Sequence, residues 1–149
     1  MQSTVKLLFY LAVWQRPEIT EICFMGLNRL KKTGLFPMQF FAVISEESMI
    51  PLCEKYGVNW CMHENQPLGA KKNYGLRQLK EKDFDFMVEI GSDDLILNEM
   101  LEHYQKFMPK YDFFGVRDIA YIDSETLSCR RLQDPRVTYG AGGRISPKA

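Results

Sequence analysis

The chain contains no C-x-x-C pair, although it has four cysteines, Cys23, Cys53, Cys61 and Cys129. Each lies in an apolar or strand-like segment. Together they read as buried free thiols in a reducing compartment, not as a zinc site or a disulfide framework. Histidine is scarce. His63 and His103 are the only two, and neither has the sequence partners of a metal cluster or a catalytic diad. An excess of one charge is also missing. With 19 basic and 19 acidic side chains the formal net charge is zero, which excludes a global electrostatic affinity for nucleic acid or an anionic membrane. Any anion binding has to be local. Long apolar runs are absent too: Leu7–Val13 falls far short of the roughly 20 residues that span a bilayer. The N-terminal Met-Gln-Ser-Thr-Val-Lys lacks the layout of a signal peptide, so a cytoplasmic location is the expectation. No internal repeat, low-complexity segment or dividing linker interrupts the 149 residues, the usual size of one domain.

What is present is an alternation of strands and helices. Val5–Val13 is a continuous apolar run, the pattern of a strand buried on both faces. Trp14-Gln15-Arg16-Pro17 ends it. Pro17 suits a first helical turn, and Ile19, Ile22, Cys23, Gly26, Leu27 and Leu30 follow helical spacing, with Lys31 and Lys32 in the last turn and Gly34 as a C-cap. Phe40–Ser45 reads as a second strand, with Glu46-Glu47-Ser48 after it and a short helix to Tyr56 that Gly57 stops. Val58–His63 reads as a third strand, followed by the loop Glu64–Gly69 and a helix over Ala70–Lys80. Such alternation predicts a mostly parallel sheet with helices on both faces, its strand-following loops gathered on one edge. Further on, the spacing predicts a helix over Asn98–Met108, a strand over Tyr111–Arg117, and a hairpin of Ile119–Asp123 with Leu127–Leu132. A Gly-rich loop over Tyr139–Ser146 leads towards a last short strand. A chain ending near a sheet edge can form a homo-oligomer through it.

The stretch Phe84–Leu97 concentrates the chemistry. Phe84, Phe86, Met87, Val88 and Ile90 read as a buried fourth strand; Gly91-Ser92 ends it, and Asp93 and Asp94 follow at once. In an open α/β sheet, ligands bind at the carboxyl ends of strands. Adjacent carboxylates repel unless a cation, donors or water stabilise them. One reading is a site for a divalent ion carrying phosphate oxygens. The other is an acidic turn capping the next helix.

Five pieces in this order resemble the family 2-like glycosyltransferases of GT-A fold, which use nucleotide-diphosphate sugars. They are the first strand ending at Arg16-Pro17, the second followed by Glu46-Glu47-Ser48, and the segment Pro67-Leu68-Gly69-Ala70-Lys71-Lys72-Asn73. The last two are the strand ending in Ser92-Asp93-Asp94 and the small-residue segment Gly140–Ser146. The resemblance implies a Rossmann-like GT-A fold, with residues 1–97 as the nucleotide-sugar-binding half and 98–149 as a partial acceptor-side half carrying a β-hairpin. It implies a donor site formed by Val13, Arg16, Glu46, Lys71, Lys72, Asn73, Ser92, Asp93 and Asp94. Asp93 and Asp94 would hold Mn²⁺ or Mg²⁺ with the diphosphate. Lys71 or Lys72 would meet diphosphate or base, unless both are solvated helix lysines. Glu46 and Glu47 would accept from base or ribose, unless they simply favour a helix N-terminus. Arg16 would line the phosphate side. Trp14 would be a stacking wall or core. The family's first acidic position is Gly91 here.

The implied activity is transfer of a sugar from that donor to an acceptor. The inverting members need a carboxylate base from a segment after the Gly-rich stretch. Asp118, Asp123 and Asp134 do not match its position, so no catalytic residue is assigned. A non-catalytic nucleotide-sugar-binding or assembly module is the alternative. A nucleotidyltransferase would want a Gly-rich basic loop after the first strand, and Val13–Pro17 has no glycine. A receiver domain would want an acidic pair there.

Overall fold

In the computed structural model, the described residues are 4–115, 118–123, 125–133 and 146–147. They fall into two compact units, Met1–Leu101 and Glu102–Ala149. The first holds β1 (Leu7–Ala12), α1 (Pro17–Lys32), β2 (Met38–Ile44), α2 (Ile50–Tyr56), β3 (Asn59–Met62), α3 (Leu68–Gln78) and β4 (Phe86–Gly91). The strands form one parallel sheet in the order β3-β2-β1-β4. The sequence-predicted α/β alternation with a parallel sheet is therefore present.

The topology follows from the handedness of the connections. The chain steps from β1 to β2 to β3 in one direction, then returns past both to place β4 on the far side of β1. Right-handed crossovers put helices that step one way on one face and the returning helix on the other. α1 and α2 accordingly pack against each other, and α3 lies over the opposite face. There Leu8, Tyr10, Phe41, Val43 and Leu79 form a buried cluster. Being covered on both sides, β1 is buried at every position from Leu7 to Leu11, as the unbroken apolar run required. Gly75 brings α3 close to the sheet: a Cβ there would stand 2.1 Å from Val43 Cγ2 and 2.3 Å from Tyr10 Oη.

Several boundaries differ from the sequence reading. β1 spans Leu7–Ala12, not Val5–Val13, and α3 begins at Leu68, two residues earlier than Ala70. Thr33, not Gly34, caps the end of α1, and Gly34 follows at φ 67°, the left-handed geometry for which glycine suits a helix end. Gly57 does the same for α2 at φ 65°. The expectation of a buried fourth strand needs correction. β4 alternates, with Met87 and Glu89 exposed and Phe86, Val88 and Ile90 half-buried. Glu89 is the polar member that betrays the alternation, and β4 stands at the end of the described strand order, where β1 does not. The thiols also divide: Cys23 and Cys53 are buried, Cys61 is half-buried and Cys129 exposed, all free.

In the second unit, α4 (Glu99–Phe107, begun just before it) precedes β5 (Tyr111–Phe113), β6 (Asp118–Ile122), β7 (Cys129–Gln133) and β8 (Ser146–Pro147). β6 and β7 form the expected antiparallel hairpin, and β8 pairs with β5. The Phe107 ring lies 6.1 Å from those of Tyr111 and Phe114. The small-residue segment Gly140–Ile145 and Asp134 lie outside the described residues.

Candidate functional site

A reversal of strand order creates a crevice, because the loops leaving the two strands run in opposite directions. Here the reversal falls between β1 and β4, and the loops are Val13–Arg16 and Ser92–Asp94. Two adjoining cavities open along this edge. One, of about 450 Å³, is lined by Ala12, Trp14, Gln15, Arg16, Asn65, Gln66, Leu68 and Ser92. The other, of about 420 Å³, is lined by Ala12, Arg16, Leu68, Lys72, Glu89, Ile90, Gly91, Ser92, Asp93 and Asp94. Ala12, Arg16, Leu68 and Ser92 border both, so the two form one continuous cleft.

The β1–α1 loop is held in an uncommon shape. Gln15 and Arg16 both have positive φ, 53° and 51°, a conformation that costs a non-glycine residue stability and persists only where its surroundings over-determine it. Two contacts do so. The Gln15 N–H donates to Glu46 Oε2 at 3.0 Å, and the Val13 N–H donates to the Val43 carbonyl at 2.8 Å. Glu46 is thus a brace for the loop, in extended backbone before the 3-10 turn Glu47–Met49, not a first-turn helix acid. The left-handed turn sends Arg16 across the crevice, where Nη1 lies 3.0 Å from Asp93 Oδ2. Trp14 is 45% exposed on the cleft wall, which settles its alternatives against core.

The acidic turn is folded back on its own backbone. Asp94 Oδ2 accepts the Gly91 N–H at 2.7 Å, and the Asp94 N–H donates to the Gly91 carbonyl at 3.3 Å. A Cβ on Gly91 would meet Asp94 Oδ2 at 2.8 Å and Asp93 Oδ1 at 2.9 Å. Oxygens of the two carboxylates therefore converge over Gly91, which has no side chain. That convergence suits a small hard cation that takes its remaining ligands from a diphosphate and water. Among the described residues no group of three or more His, Cys, Asp or Glu is gathered for a metal, so ligand oxygens would have to complete the shell. Ser92 is buried beneath the turn. Cys23 lies below it as well, its Sγ 3.7 Å from the Gly91 carbonyl oxygen. Burial first, then Asp94 and Asp93, push that thiol up to about 12, so it is no nucleophile.

Lys71 and Lys72 are not a solvated pair. Lys71 is fully buried, and its Nζ donates to the Val13 carbonyl at 2.5 Å and to Asn65 Oδ1 at 3.1 Å. Burial lowers its pKa to about 8, against the opposing pull of Glu46 and Cys61. Lys72 reaches the cleft and pairs with Glu89 at 2.5 Å, while its carbonyl accepts from Tyr10 Oη at 2.7 Å. Burial raises the Tyr10 pKa, so the phenol stays a donor. Asn73 is exposed on α3 and lines neither cavity. The first turn of α3 faces the crevice through Leu68, and its earliest internal bond is the Ala70 N–H to the Pro67 carbonyl, 3.0 Å. The N–H groups of Leu68 and Gly69 precede that bond, which leaves an end suited to anions.

The expected residues thus sort themselves. Arg16, Lys72, Ser92, Asp93 and Asp94 meet in the cleft, Val13, Glu46 and Lys71 support it from behind, and Asn73 stands apart. Asn65, Gln66 and Glu89 line it without having been singled out. The first two sit in the loop after β3, whose position on the strand-end edge was the only signal available. His63 is outside the lining, its ring tilted by 40° against that of Tyr74 with centroids 4.9 Å apart. Comparison with models of protein families, with curated proteins and with solved structures returned no match.

Proposed function

We propose that the cleft binds a nucleotide-diphosphate sugar together with Mg²⁺ or Mn²⁺, and that the protein is a glycosyltransferase of GT-A type. The observation that carries this reading is the meeting of Arg16 and the Asp93–Asp94 turn at the strand-order reversal. Cation, carboxylates and a helix N-terminus there converge on one crevice of nucleotide size. The resemblance of the ordered motifs supports it independently.

The chemistry explains the residue types. As the bond between the sugar's anomeric carbon and the diphosphate oxygen breaks, negative charge grows on the leaving diphosphate. Arg16 can leave Asp93 for a phosphate oxygen with little loss, since an exposed ion pair contributes about 0–1 kcal/mol. Its guanidinium then offers paired donors to the phosphate. The first N–H groups of α3 add fixed dipoles at the same place. A divalent ion held by Asp93 and Asp94 would supply Lewis-acid stabilisation of the same charge. Lys71 and Glu46 hold the loop from which Arg16 projects.

Calorimetric titration of the protein with UDP, GDP, CDP and dTDP, with and without Mn²⁺, tests the reading. Metal-dependent binding of at least one is expected; its absence with all four overturns the proposal. One observation favours a second reading, a binding or assembly module without turnover. Both carboxylates already have partners within the protein, Arg16 for Asp93 and the Gly91 N–H for Asp94. Retained binding with neither hydrolysis nor transfer of a nucleotide sugar would favour it.

A further inference from the structure

Lysine has hydrogen-bond donors and no acceptor. A buried lysine must therefore turn every neighbouring polar group so that an oxygen faces it, or leave its own donors unsatisfied at considerable cost. Lys71 is buried completely and has two such oxygens, the Val13 carbonyl and Asn65 Oδ1. The first is a backbone group already fixed at the end of β1. The second belongs to an amide that could in principle sit either way round, and the surrounding network decides which. Reversing it would press an NH₂ group against an ammonium, donor against donor. The Asn65 amide is thus locked with its oxygen towards Lys71 at 3.1 Å. Nδ2 is the side-chain atom left to meet a molecule in the larger cavity, which Asn65 lines.

The rest of that cavity suits a flat heterocycle. Trp14 lies exposed on its wall, a face on which an aromatic ring can stack. Gln66 also lines it, but its exposed amide is free to rotate and can present oxygen or nitrogen as required. Asn65 cannot. It alone among the two amides discriminates.

We infer that the larger cavity receives the base of the nucleotide and selects bases that present a carbonyl there, uracil, thymine or guanine, over those that present an exocyclic amine, cytosine or adenine. The inference rests on the nucleotide-diphosphate reading of the cleft and deepens it by naming the class of base. Its physical ground is a donor that cannot be exchanged for an acceptor. Against a carbonyl the Asn65 NH₂ gains a hydrogen bond, and against an amine both donors lose their water without finding a partner. A site built to bond one group rejects the analogue that cannot return the bond.

The matched pairs UDP with CDP and GDP with ADP differ at the edge in question, so ratios of dissociation constants within each pair read the effect. With Mn²⁺ at pH 7, UDP is expected to bind about tenfold more tightly than CDP, and GDP about tenfold more tightly than ADP. Asn65→Asp keeps an oxygen for Lys71 and offers the cleft an acceptor instead of a donor. In that variant both ratios should fall to one or below, whatever happens to overall affinity. Asn65→Leu, which offers neither, should bring them near one. Equal binding within the pairs by the unaltered protein, a preference for CDP and ADP, or an unchanged ratio in Asn65→Asp would each overturn the inference while leaving diphosphate binding intact. Failure of these four diphosphates and of dTDP to bind would instead overturn the reading of the cleft and this inference with it.

Discussion

Arg16 and Asp93 meet at 3.0 Å although 77 positions separate them in the chain. One leaves β1 and the other β4, and the contact spans the point where the strand order reverses. Both side chains are substantially exposed, 58% and 41%. Such a pair adds little to stability, so its position is better explained by what it lines than by what it holds together.

Arg16→Ala should therefore leave the unfolding free energy from urea denaturation within about 1 kcal/mol of the parent. It should nevertheless weaken binding of a nucleoside diphosphate roughly tenfold or more, the effect of losing a charged donor to a phosphate. Equilibrium denaturation and calorimetry on the same preparation separate the two. A variant that loses stability and binding in parallel would argue that the contact is structural.

Asp93→Ala and Asp94→Ala are each expected to reduce Mn²⁺-dependent nucleotide binding by about tenfold or more, since charged ligands are being removed from a hard-cation site. Asp123→Ala is the control. Its carboxylate accepts the Glu125 and Thr126 N–H groups at 2.9 and 2.8 Å in the β6–β7 turn, so its loss should disturb that turn and spare binding.

Gly75→Ala tests the closeness of α3 to the sheet. Helix propensity alone predicts stabilisation by about 1 kcal/mol. The Cβ would instead meet Val43 Cγ2 at 2.1 Å and Tyr10 Oη at 2.3 Å, and overpacking of that kind costs about 1–3 kcal/mol. A lowered urea midpoint is expected. Gly26→Ala makes the comparison, because its Cβ would meet the end of the exposed Leu95 side chain at 2.8 Å, which can swing aside. The sign of the change should differ between the two.

Lys71 should give stability a distinctive pH dependence. Its pKa is about 8 in the folded protein against 10.5 ordinarily. Between those values the unfolded chain holds the proton that the folded one has released, so stability contributed by this group rises with pH from about 8 to about 10.5. The buried Cys23 and Cys53 thiols, pushed up to about 12 and about 11, act in the opposite sense above pH 9. They are common to the parent and to Lys71→Met. Subtracting the two denaturation profiles across pH 7–10 should leave a rise in the parent that Lys71→Met lacks; a flat difference would refute the assignment.

Much of this was legible in the residues. The unbroken apolar run of β1, Pro17 at the head of α1, Gly57 at the tail of α2 and the strand–helix alternation are local signals. They fix element type because backbone preference and burial pattern act over a few residues. From them the parallel sheet follows, and with it the edge that carries the loops around Arg16, Glu46, Asn65 and Asp93. Lys71 and Lys72 were less legible. Adjacent on a helix, they point about 100° apart, and which one is buried depends on how α3 is turned on the sheet. Gly75 allows that closeness because it has no Cβ to meet Val43 and Tyr10, residues from two different strands. Only the tertiary structure could therefore reveal that Lys71 is sealed against Val13 and Asn65, that Glu46 braces Gln15, and that Trp14 faces the cleft. Local signals along the chain set the strands, the helices and the edge on which chemistry can occur. The fold decided which side chains on that edge are free to meet a ligand, because exposure and pairing depend on neighbours that are distant in the chain.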